Sequence, residues 1–359
     1  MTLDTLLDEV LKLDASDLYL KVDSIPCVRI DGQVQPLPEA KLTSKDLEGF
    51  ARGLIGEDRW PIFMRSCEFN MAYASSGGGR FRVNIYLQRG GIAIVCRRVK
   101  LEIPSIEELG LPPQLGDLSL LPRGLVVITG PTGSGKSTTL AAMLEHRNQT
   151  QGGHIITIED PIEFVYTDKQ SIVSQREVGL DTLNFENALK NALRQAPDVI
   201  SIGEIRDLET AETALIMAET GHLVLATLHA SNTYQSLERL ISMFTAEREK
   251  QLLFILSLNL RAILSQRLIP VKDDTGRVVA TELLLNTPRV KDLIRDNKFS
   301  EIKEILKSGA EDGVHSFDQS IGTLYEKGVI SEENALLFVD SQSEFRMKLK
   351  GFKGILRQT

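Results

Sequence analysis

Apolar positions along the first hundred residues follow two patterns, one typical of amphipathic helices and one typical of short strands. Within residues 3–13 the apolar side chains recur every three or four positions, which predicts an amphipathic helix with one buried face. Thr43-Ser44-Lys45-Asp46 is typical of a helix start, in an acidic variant of the capping box. Short apolar segments predict strands at residues 18–20, 27–30, 69–74, 81–87 and 92–99. We therefore expect residues 1–100 to form an α+β domain with a largely antiparallel sheet.

The pattern changes beyond residue 100. Three prolines interrupt the periodicity of residues 101–118, which we interpret as a linker. Apolar runs of strand length then occur at residues 125–129, 154–158, 199–202 and 222–227, with helical patterns between them. This alternation predicts an α/β core over residues 119–286, with a parallel sheet and crossover helices.

The last part of the chain has a helical pattern only. Residues 287–345 form the predicted helical C-terminal region, with helices near 288–297, 299–308, 316–327 and 331–340. Residues 346–359 form a basic tail in which apolar side chains are interleaved. The tail is either a solvated terminus or a contact for an acidic partner or an anionic membrane face.

Composition narrows the class of protein. The 359 residues carry a net charge of −8, so a general nucleic-acid surface is not expected. The three cysteines lie far apart, so the sequence suggests neither a zinc site nor a disulfide framework. No apolar stretch approaches the roughly 20 residues of a membrane span, and the acidic N-terminus is not a signal peptide. We expect a cytoplasmic protein without direct membrane insertion.

A phosphate-binding loop follows the first strand of the predicted core. Residues 130–137 match the pattern GxxxxGK[ST] at every fixed position: Gly130, Pro131, Thr132, Gly133, Ser134, Gly135, Lys136 and Ser137. The glycines let backbone N–H groups point at phosphates, and the following helix adds a favourable dipole. Lys136 would reach the β- and γ-phosphates of ATP, and the Ser137 hydroxyl would ligate Mg²⁺.

Acidic residues follow two other predicted strands. Glu163 lies in the segment Glu159-Asp160-Pro161-Ile162-Glu163, and Glu204 lies in Gly203-Glu204-Ile205-Arg206-Asp207. Strand ends often carry solvated acids, but ligands of such sheets bind at the carboxyl ends of the strands. Beside a phosphate loop, these acids are candidates for holding the metal and orienting water.

Histidines and arginines are further candidates. His229 follows the strand at 222–227, where a sensor of the γ-phosphate could lie, whereas His222 starts that strand, on the far side from such a site. Arg82 and Arg97 lie on strands of the first domain. Solvated strand arginines are the ordinary expectation, but a ring ATPase would use them as fingers toward nucleotide.

Together these motifs resemble the secretion ATPases of type IV pilus and type II secretion machines, over essentially the whole chain. GPTGSGKSTT is followed by ITIEDPIEF, which resembles the aspartate box of that superfamily. APDVISIGEIRD resembles its second acidic motif, and GHLVLATLHASNT resembles its histidine box. The resemblance implies a RecA-like P-loop core preceded by a PAS-like N-terminal domain, and a homohexameric ring.

The resemblance also implies roles for single residues. Glu163 would activate water, and Glu204 would support Mg²⁺, partly through water. Arg82 and Arg97 would act on the nucleotide. The nucleotide-binding set implied by the motifs is completed by Thr138, Asp160 and His222, with His229 also in the histidine box.

The chain lacks two parts that assembly and secretion members carry, a large additional N-terminal domain and a four-cysteine zinc insertion. It therefore resembles the retraction branch, the PilT/PilU family, and is closer to its PilU-type accessory members. TPRVKDLIRDNK departs from the signature of the principal motor at Val290, Lys291 and Asp292. The resemblance implies two partners at the inner face of the cytoplasmic membrane, the principal retraction ATPase and a platform protein.

Three alternatives follow from the same sequence. One is a pilus-assembly or type II secretion ATPase, against which the missing parts argue. Another is an ATP-binding scaffold or regulator of the principal motor, with little force of its own. The third is a nucleic-acid motor, which the acidic composition disfavours.

Overall fold

A computed structural model describes residues 2–30, 32–99, 102–273, 275–309 and 311–347. The chain divides into two compact units, Met1–Glu102 together with Glu163–Val165, and Ile103–Ile162 together with Tyr166–Thr359. The domain boundaries expected at residues 100, 118, 286 and 345 stay predictions. The basic tail lies outside the described residues from position 348 onward. Among the described helices, none combines the length and the apolar content needed to cross a bilayer.

The first unit is built on an antiparallel sheet of six strands in the order β3-β2-β1-β6-β5-β4. Its described elements, in chain order, are α1 (Leu3–Lys12), β1 (Asp17–Lys21), β2 (Cys27–Ile30), β3 (Gln33–Pro36), α2 (Ser44–Ile55), α3 (Trp60–Ser66), β4 (Glu68–Ala74), β5 (Arg80–Gln88) and β6 (Gly91–Val99). The antiparallel sheet predicted from the sequence is confirmed. Helix α3 and strand β3 were not predicted.

Capping and apolar spacing explain the two predicted helices of this unit. In α1 the residues Leu3, Leu6, Leu7 and Val10 are buried, as the spacing predicted. Helix α2 begins after Thr43, whose backbone N–H donates to Asp46 Oδ2 at 2.8 Å while Thr43 Oγ1 accepts from the Asp46 N–H at 3.2 Å. This reciprocal pair is the acidic capping box that the sequence indicated.

The second unit contains a sheet of seven strands with helices on both faces. Its described elements, in chain order, are α4 (Gln114–Ser119), β7 (Gly124–Thr129), α5 (Lys136–Thr150), β8 (Gly153–Glu159), β9 (Ser171–Glu177), α6 (Phe185–Ala192), β10 (Val199–Ile202), α7 (Leu208–Glu219), β11 (Leu223–Leu228), α8 (Thr233–Ser242), α9 (Glu249–Asn259), β12 (Leu260–Pro270), β13 (Arg277–Leu285), α10 (Pro288–Arg295), α11 (Phe299–Ser308), α12 (Phe317–Glu326) and α13 (Glu332–Phe338). Single 3₁₀ turns follow α6 and precede α9.

Strand order in this sheet is β13-β12-β7-β11-β10-β8-β9. All neighbours are parallel except β12 and β13, which pair as an antiparallel ladder. The α/β core with a parallel sheet is therefore confirmed. Strands β9, β12 and β13 were not predicted.

Side chains of β7 alternate between two cores. Leu125 and Val127 pack on one face of the sheet, among residues of α7, α9 and α10. Val126 and Ile128 pack on the other face, among residues of α4 and α5. Every residue of β7, β10 and β11 is buried, which explains why these strands read as continuous apolar runs in the sequence.

The four helices predicted beyond residue 286 are present as α10 to α13. Helices α12 and α13 close a small core around Phe317 and Ile321, packed against Ile269 and Ala280 of the antiparallel ladder. The Arg267 guanidinium stacks 3.8 Å from the centre of the Phe317 ring. The C-terminal helices are thus attached to the edge of the sheet formed by β12 and β13.

Candidate nucleotide-binding site

The phosphate loop connects the buried strand β7 to helix α5. Its backbone has positive φ at Gly130 (150°), Gly133 (78°) and Gly135 (92°). A Cβ atom at Gly130 would lie 2.4 Å from Ser134 Oγ and 2.7 Å from the carbonyl oxygen of Gln266. The loop is folded so tightly there that only glycine fits.

Helix α5 begins directly at the loop. Its N-cap is Gly135, which has no side chain to accept a bond from the first amides of the helix. Lys136, Ser137 and Thr138 occupy the first turn, so the lysine and two hydroxyl groups lie where the helix dipole is positive. This is the arrangement that binds phosphate groups at helix N-termini.

Two polar groups of the loop fit a bound anion. The Lys136 ammonium group donates to the carbonyl oxygens of Gly130 (2.9 Å) and Pro131 (3.0 Å), so it is folded over the loop. Ser134 Oγ is buried and has no hydrogen-bond partner among the described residues. A lysine, a buried orphan hydroxyl and a glycine cradle form a donor set that suits a triphosphate.

A charged cluster lies at the carboxyl ends of the neighbouring strands. Glu204 Oε1 lies 3.1 Å from His229 Nε2, and Glu204 Oε2 accepts from Arg206 Nε at 2.5 Å. Arg206 Nη1 lies 3.1 Å from Asp160 Oδ2. The hydrogen bond to Glu204 raises the pKa of the Arg206 guanidinium above its ordinary value. The cluster therefore joins two carboxylates, one guanidinium and one imidazole.

Strand order explains why these residues meet. Asp160, Glu204 and His229 follow β8, β10 and β11, which are adjacent and parallel, and β7 lies beside β11. The turn after β10 is held on both sides, because the Gly203 N–H donates to the Ile158 carbonyl and the Ile205 N–H donates to the Thr227 carbonyl, both at 2.8 Å. The phosphate loop and the charged cluster thus lie together at the carboxyl ends of these strands.

His222 is placed differently from His229. It precedes β11, at the end opposite to His229, and its Nδ1 lies 3.1 Å from the Met217 carbonyl oxygen and 3.2 Å from Thr220 Oγ1. A strand of this length spans about 20 Å. Within the second unit, His222 is therefore not brought to the phosphate loop, and its nucleotide-binding role stays a prediction.

Glu163, Arg82 and Arg97 belong to the first unit. Arg82 of β5 and Arg97 of β6 are direct cross-strand partners, and Arg97 also faces Asp17 of β1. The buried Asp17 carboxylate accepts from Arg97 Nε at 2.8 Å, which raises the pKa of Arg97, and Glu163 adds to that rise. Two arginines thus lie side by side on one face of the sheet.

Arg206 is the member of the charged cluster that the sequence pattern did not indicate as a site residue. It lies two positions after Glu204 within the acidic motif, and that proximity is the signal that could have identified it. Its side chain contacts Glu204 and Asp160, which are 44 positions apart in the chain. It thereby connects the two acidic motifs that were considered separately.

Comparison with known proteins gives one family. The family model described as Type II/IV secretion system protein matches residues 1–348. The type IV pilus ATPase PilU of Pseudomonas aeruginosa is 46% identical over 350 residues, which is 98% of this chain and 92% of that protein. The type IV pilus retraction ATPase PilT of the same organism is 42% identical over 324 residues, which is 90% of this chain and 94% of that protein.

A solved structure of the same family is similar to this chain in fold as well as in sequence. The crystal structure of the pilus retraction motor PilT with bound ADP is similar to this chain with a TM-score of 0.89 and 40% sequence identity. The similarity covers 96% of this chain and 98% of that one.

Proposed function

The chain belongs to the type II/IV secretion system family of proteins, and we propose that it is an ATP-hydrolysing motor of type IV pilus retraction. The observation that carries this proposal is 46% identity to a pilus ATPase of the PilU type over 98% of the chain. The identity to PilT is lower, at 42% over 90% of the chain, which supports an accessory role beside a principal retraction motor. The similarity to PilT with bound ADP supports nucleotide binding.

Residues 130–138 hold the triphosphate of ATP in this proposal. Backbone amides of the glycine-rich turn and the dipole of α5 face the phosphates, and Lys136 leaves its loop carbonyls to neutralise the β- and γ-phosphates. Ser134 Oγ gains the hydrogen-bond partner that it lacks among the described residues. Each of these contacts is made to the phosphates, and none of them involves the adenine base.

Magnesium is the metal that the site fits. The Ser137 hydroxyl and the Glu204 carboxylate would supply oxygen ligands, the latter partly through water, and Mg²⁺ prefers oxygen ligands together with retained waters. The metal would neutralise charge on the β- and γ-phosphates. Because both Glu204 oxygens are engaged by Arg206 and His229, its carboxylate is held in one orientation.

His229 acts as the group that responds to the γ-phosphate. His229 Nε2 lies 3.1 Å from Glu204 Oε1, so the two side chains are in direct contact. Through this contact a change at Glu204 can reach the loop that carries His229. Asp160 supports the arrangement through Arg206.

Glu163 activates the attacking water, and Arg82 with Arg97 neutralises charge on the transferred phosphoryl group. The cross-strand pairing of Arg82 with Arg97 supports this role, because it places two guanidinium-bearing residues at directly opposed positions on one face of the sheet. Asp17 pairs with Arg97 and also lies 3.4 Å from Arg29 Nε.

The working assembly is a homohexamer at the inner face of the cytoplasmic membrane. The resemblance of all four nucleotide motifs to ring-forming secretion ATPases supports the hexamer. Its partners are the principal retraction ATPase and an inner-membrane platform protein, through which ATP-driven domain closure reaches the pilus. His222, at the end of β11 remote from the phosphate loop, completes the nucleotide-binding set in this proposal.

A test of the enzyme uses the purified chain with Mg²⁺ and ATP. The wild type should release phosphate, and Lys136→Ala should abolish turnover because the main contact to the β- and γ-phosphates is gone. Lys307→Ala is a matched control, since it removes a surface lysine paired with Glu344. A wild type that binds ATP without turnover would favour a scaffold instead of a motor.

A test of the cellular function is deletion of the gene in its own host. Loss of retraction leaves cells with surface pili and reduced twitching, and complementation by wild type but not by Lys136→Ala should restore movement. Cells that lose their pili would show an assembly ATPase and contradict the proposal.

A further inference from the structure

Buried polar side chains connect the start of α8 to β7 and β12. Thr129 ends β7, Ser265 lies opposite it on β12, and Ser236 lies in the first turn of α8. The hydroxyl oxygens of Thr129 and Ser265 are 2.7 Å apart, and Ser236 Oγ donates to Thr129 Oγ1 at 3.1 Å. All three side chains are buried, so α8 is attached to the strand from which the phosphate loop starts.

The start of α8 is held by an acidic residue from a different strand. Glu282 of β13 is 4% exposed, and its Oε1 accepts from the Thr233 backbone N–H at 2.9 Å and from Thr233 Oγ1 at 2.8 Å. Thr233 is the first residue of α8, and Asn232 caps the helix by accepting from the Gln235 N–H at 2.9 Å.

The carboxyl group of Glu282 is buried at the N-terminus of α8. Burial raises the pKa of Glu282, whereas the two Thr233 donors act in the opposite direction. Burying a carboxyl group without partners is costly, but a helix N-terminus supplies both a free N–H group and a favourable dipole. Glu282 therefore fixes the first residue of α8 against β13 more firmly than an apolar contact would.

The loop between β11 and α8 is short. His229, Ala230 and Ser231 are the residues between the end of β11 at Leu228 and the cap at Asn232. The ladders with β7 and β10 fix one end of this loop, and the contact between Glu282 and Thr233 fixes the other. Displacing α8 by a fraction of a helical turn would move His229 relative to Glu204.

We propose that Glu282 is a positioning residue for ATP hydrolysis, which holds α8 so that His229 Nε2 stays within hydrogen-bond distance of Glu204 Oε1. Glu282 itself contacts neither nucleotide nor metal in this proposal. The inference rests on the proposed roles of Glu204 and His229 in hydrolysis.

The test is a double-mutant cycle between Glu282→Ala and His229→Ala in the purified full-length chain, with kcat and KM for ATP measured separately. Glu282→Ala should lower kcat about tenfold with KM changed by less than about twofold, because positioning acts on the reacting geometry more than on phosphate binding. In the His229→Ala background the same substitution should change kcat by less than about twofold, since there is no imidazole left to position.

Two further variants separate positioning from stability. Glu282→Gln keeps an oxygen acceptor of the same shape and should restore kcat to within about threefold of wild type. Thr281→Val is the matched control, because Thr281 is the neighbouring buried residue and donates or accepts at His315 Nε2 (2.9 Å), away from α8. It should lower the melting temperature and leave kcat unchanged. If Glu282→Ala does not fold, Thr233→Val replaces it in the cycle, with a smaller loss in the same direction.

Three results would overturn the proposal. The first is an equal loss of kcat from Glu282→Ala with and without His229, and the second is a comparable loss in Thr281→Val. The third is a wild-type kcat in His229→Ala, because there would be nothing for Glu282 to position. Lys136→Ala, measured in parallel, distinguishes these results from a failure of the proposed ATPase site, which would show as turnover that survives the loss of the lysine.

Discussion

Arg206 Nε lies 2.5 Å from Oε2 of Glu204, which is two positions earlier in the chain. Nη1 of the same guanidinium lies 3.1 Å from Asp160 Oδ2. The Arg206 side chain is 53% exposed, whereas that of Glu204 is 16% exposed. An exposed ion pair contributes little to stability. The contact is therefore better explained by what it does to the orientation of Glu204 than by what it adds to folding.

We predict that Arg206→Gln lowers kcat for ATP hydrolysis by about tenfold to a hundredfold, because Glu204 loses the donor that fixes its Oε2. The melting temperature should change little. Arg248→Gln is a matched control, since that arginine is 45% exposed and pairs with Glu212 at 2.6 Å away from the charged cluster. Equal activity of the two variants would contradict a role for Arg206.

Gly130→Ala should abolish nucleotide binding, measured with a fluorescent ATP analogue. The added Cβ would lie 2.4 Å from Ser134 Oγ and 2.7 Å from the Gln266 carbonyl oxygen, and the second of these is backbone that cannot rotate away. Gly49→Ala in α2 meets no atom within 4 Å and should be neutral or stabilising by about 0.5–1 kcal/mol. ATP binding by Gly130→Ala with wild-type affinity would show that the loop opens more widely than it does here.

Stability should fall on mild acidification because of His315. Burial lowers the pKa of this imidazole, whose Nε2 lies 2.9 Å from Thr281 Oγ1. The unfolded chain thus takes up the proton first, so the contribution of His315 is complete above a pH of about 6.5 and is lost as pH falls toward the lowered pKa.

The measurement is the melting temperature of the wild type and of His315→Gln between about pH 8 and pH 5.5. The wild type should exceed the variant by more at the higher pH, and the gap should shrink on acidification. A gap that does not depend on pH would exclude protonation of His315 as its cause.

The cysteines should differ in reactivity. Burial raises the pKa of the Cys96 thiol to about 12, whereas Cys67 is exposed. Because the thiolate is the nucleophile, N-ethylmaleimide should label Cys67 in the native protein and Cys96 only after unfolding, as mass spectrometry of peptides would show. Rapid native labelling of Cys96 would mean that β6 opens locally.

Much of the fold could be predicted from the pattern of residues. The four apolar runs of the core became β7, β8, β10 and β11, because strands covered on both faces are mostly apolar. Strand β9 escaped prediction because it is the edge of the sheet and its sequence SIVSQRE is mostly polar. Strand β12 escaped because Ser265 and Gln266 are buried polar residues, and the pattern alone does not reveal their partners Thr129 on β7 and Thr139 on α5.

The candidate site was predictable only in part. The phosphate loop is local in sequence, so its residues and its flanking strand and helix could be identified together. The link from Arg206 to Asp160 depends on β8 lying beside β10, which a single sequence does not disclose. The same holds for Glu282, whose partner Thr233 is 49 positions away.

Glu163, Phe164 and Val165 belong to the first unit although the chain on both sides of them belongs to the second. The first unit is therefore discontinuous, and a gene fragment that stops at residue 102 would encode it without these three positions. Phe164 is 7% exposed in the intact chain, so the shortened product would lose a buried ring along with the acid proposed to activate water. Exchanging the N-terminal hundred residues between two such motors would likewise transfer an incomplete unit. Residues 163–165 would still come from the recipient chain.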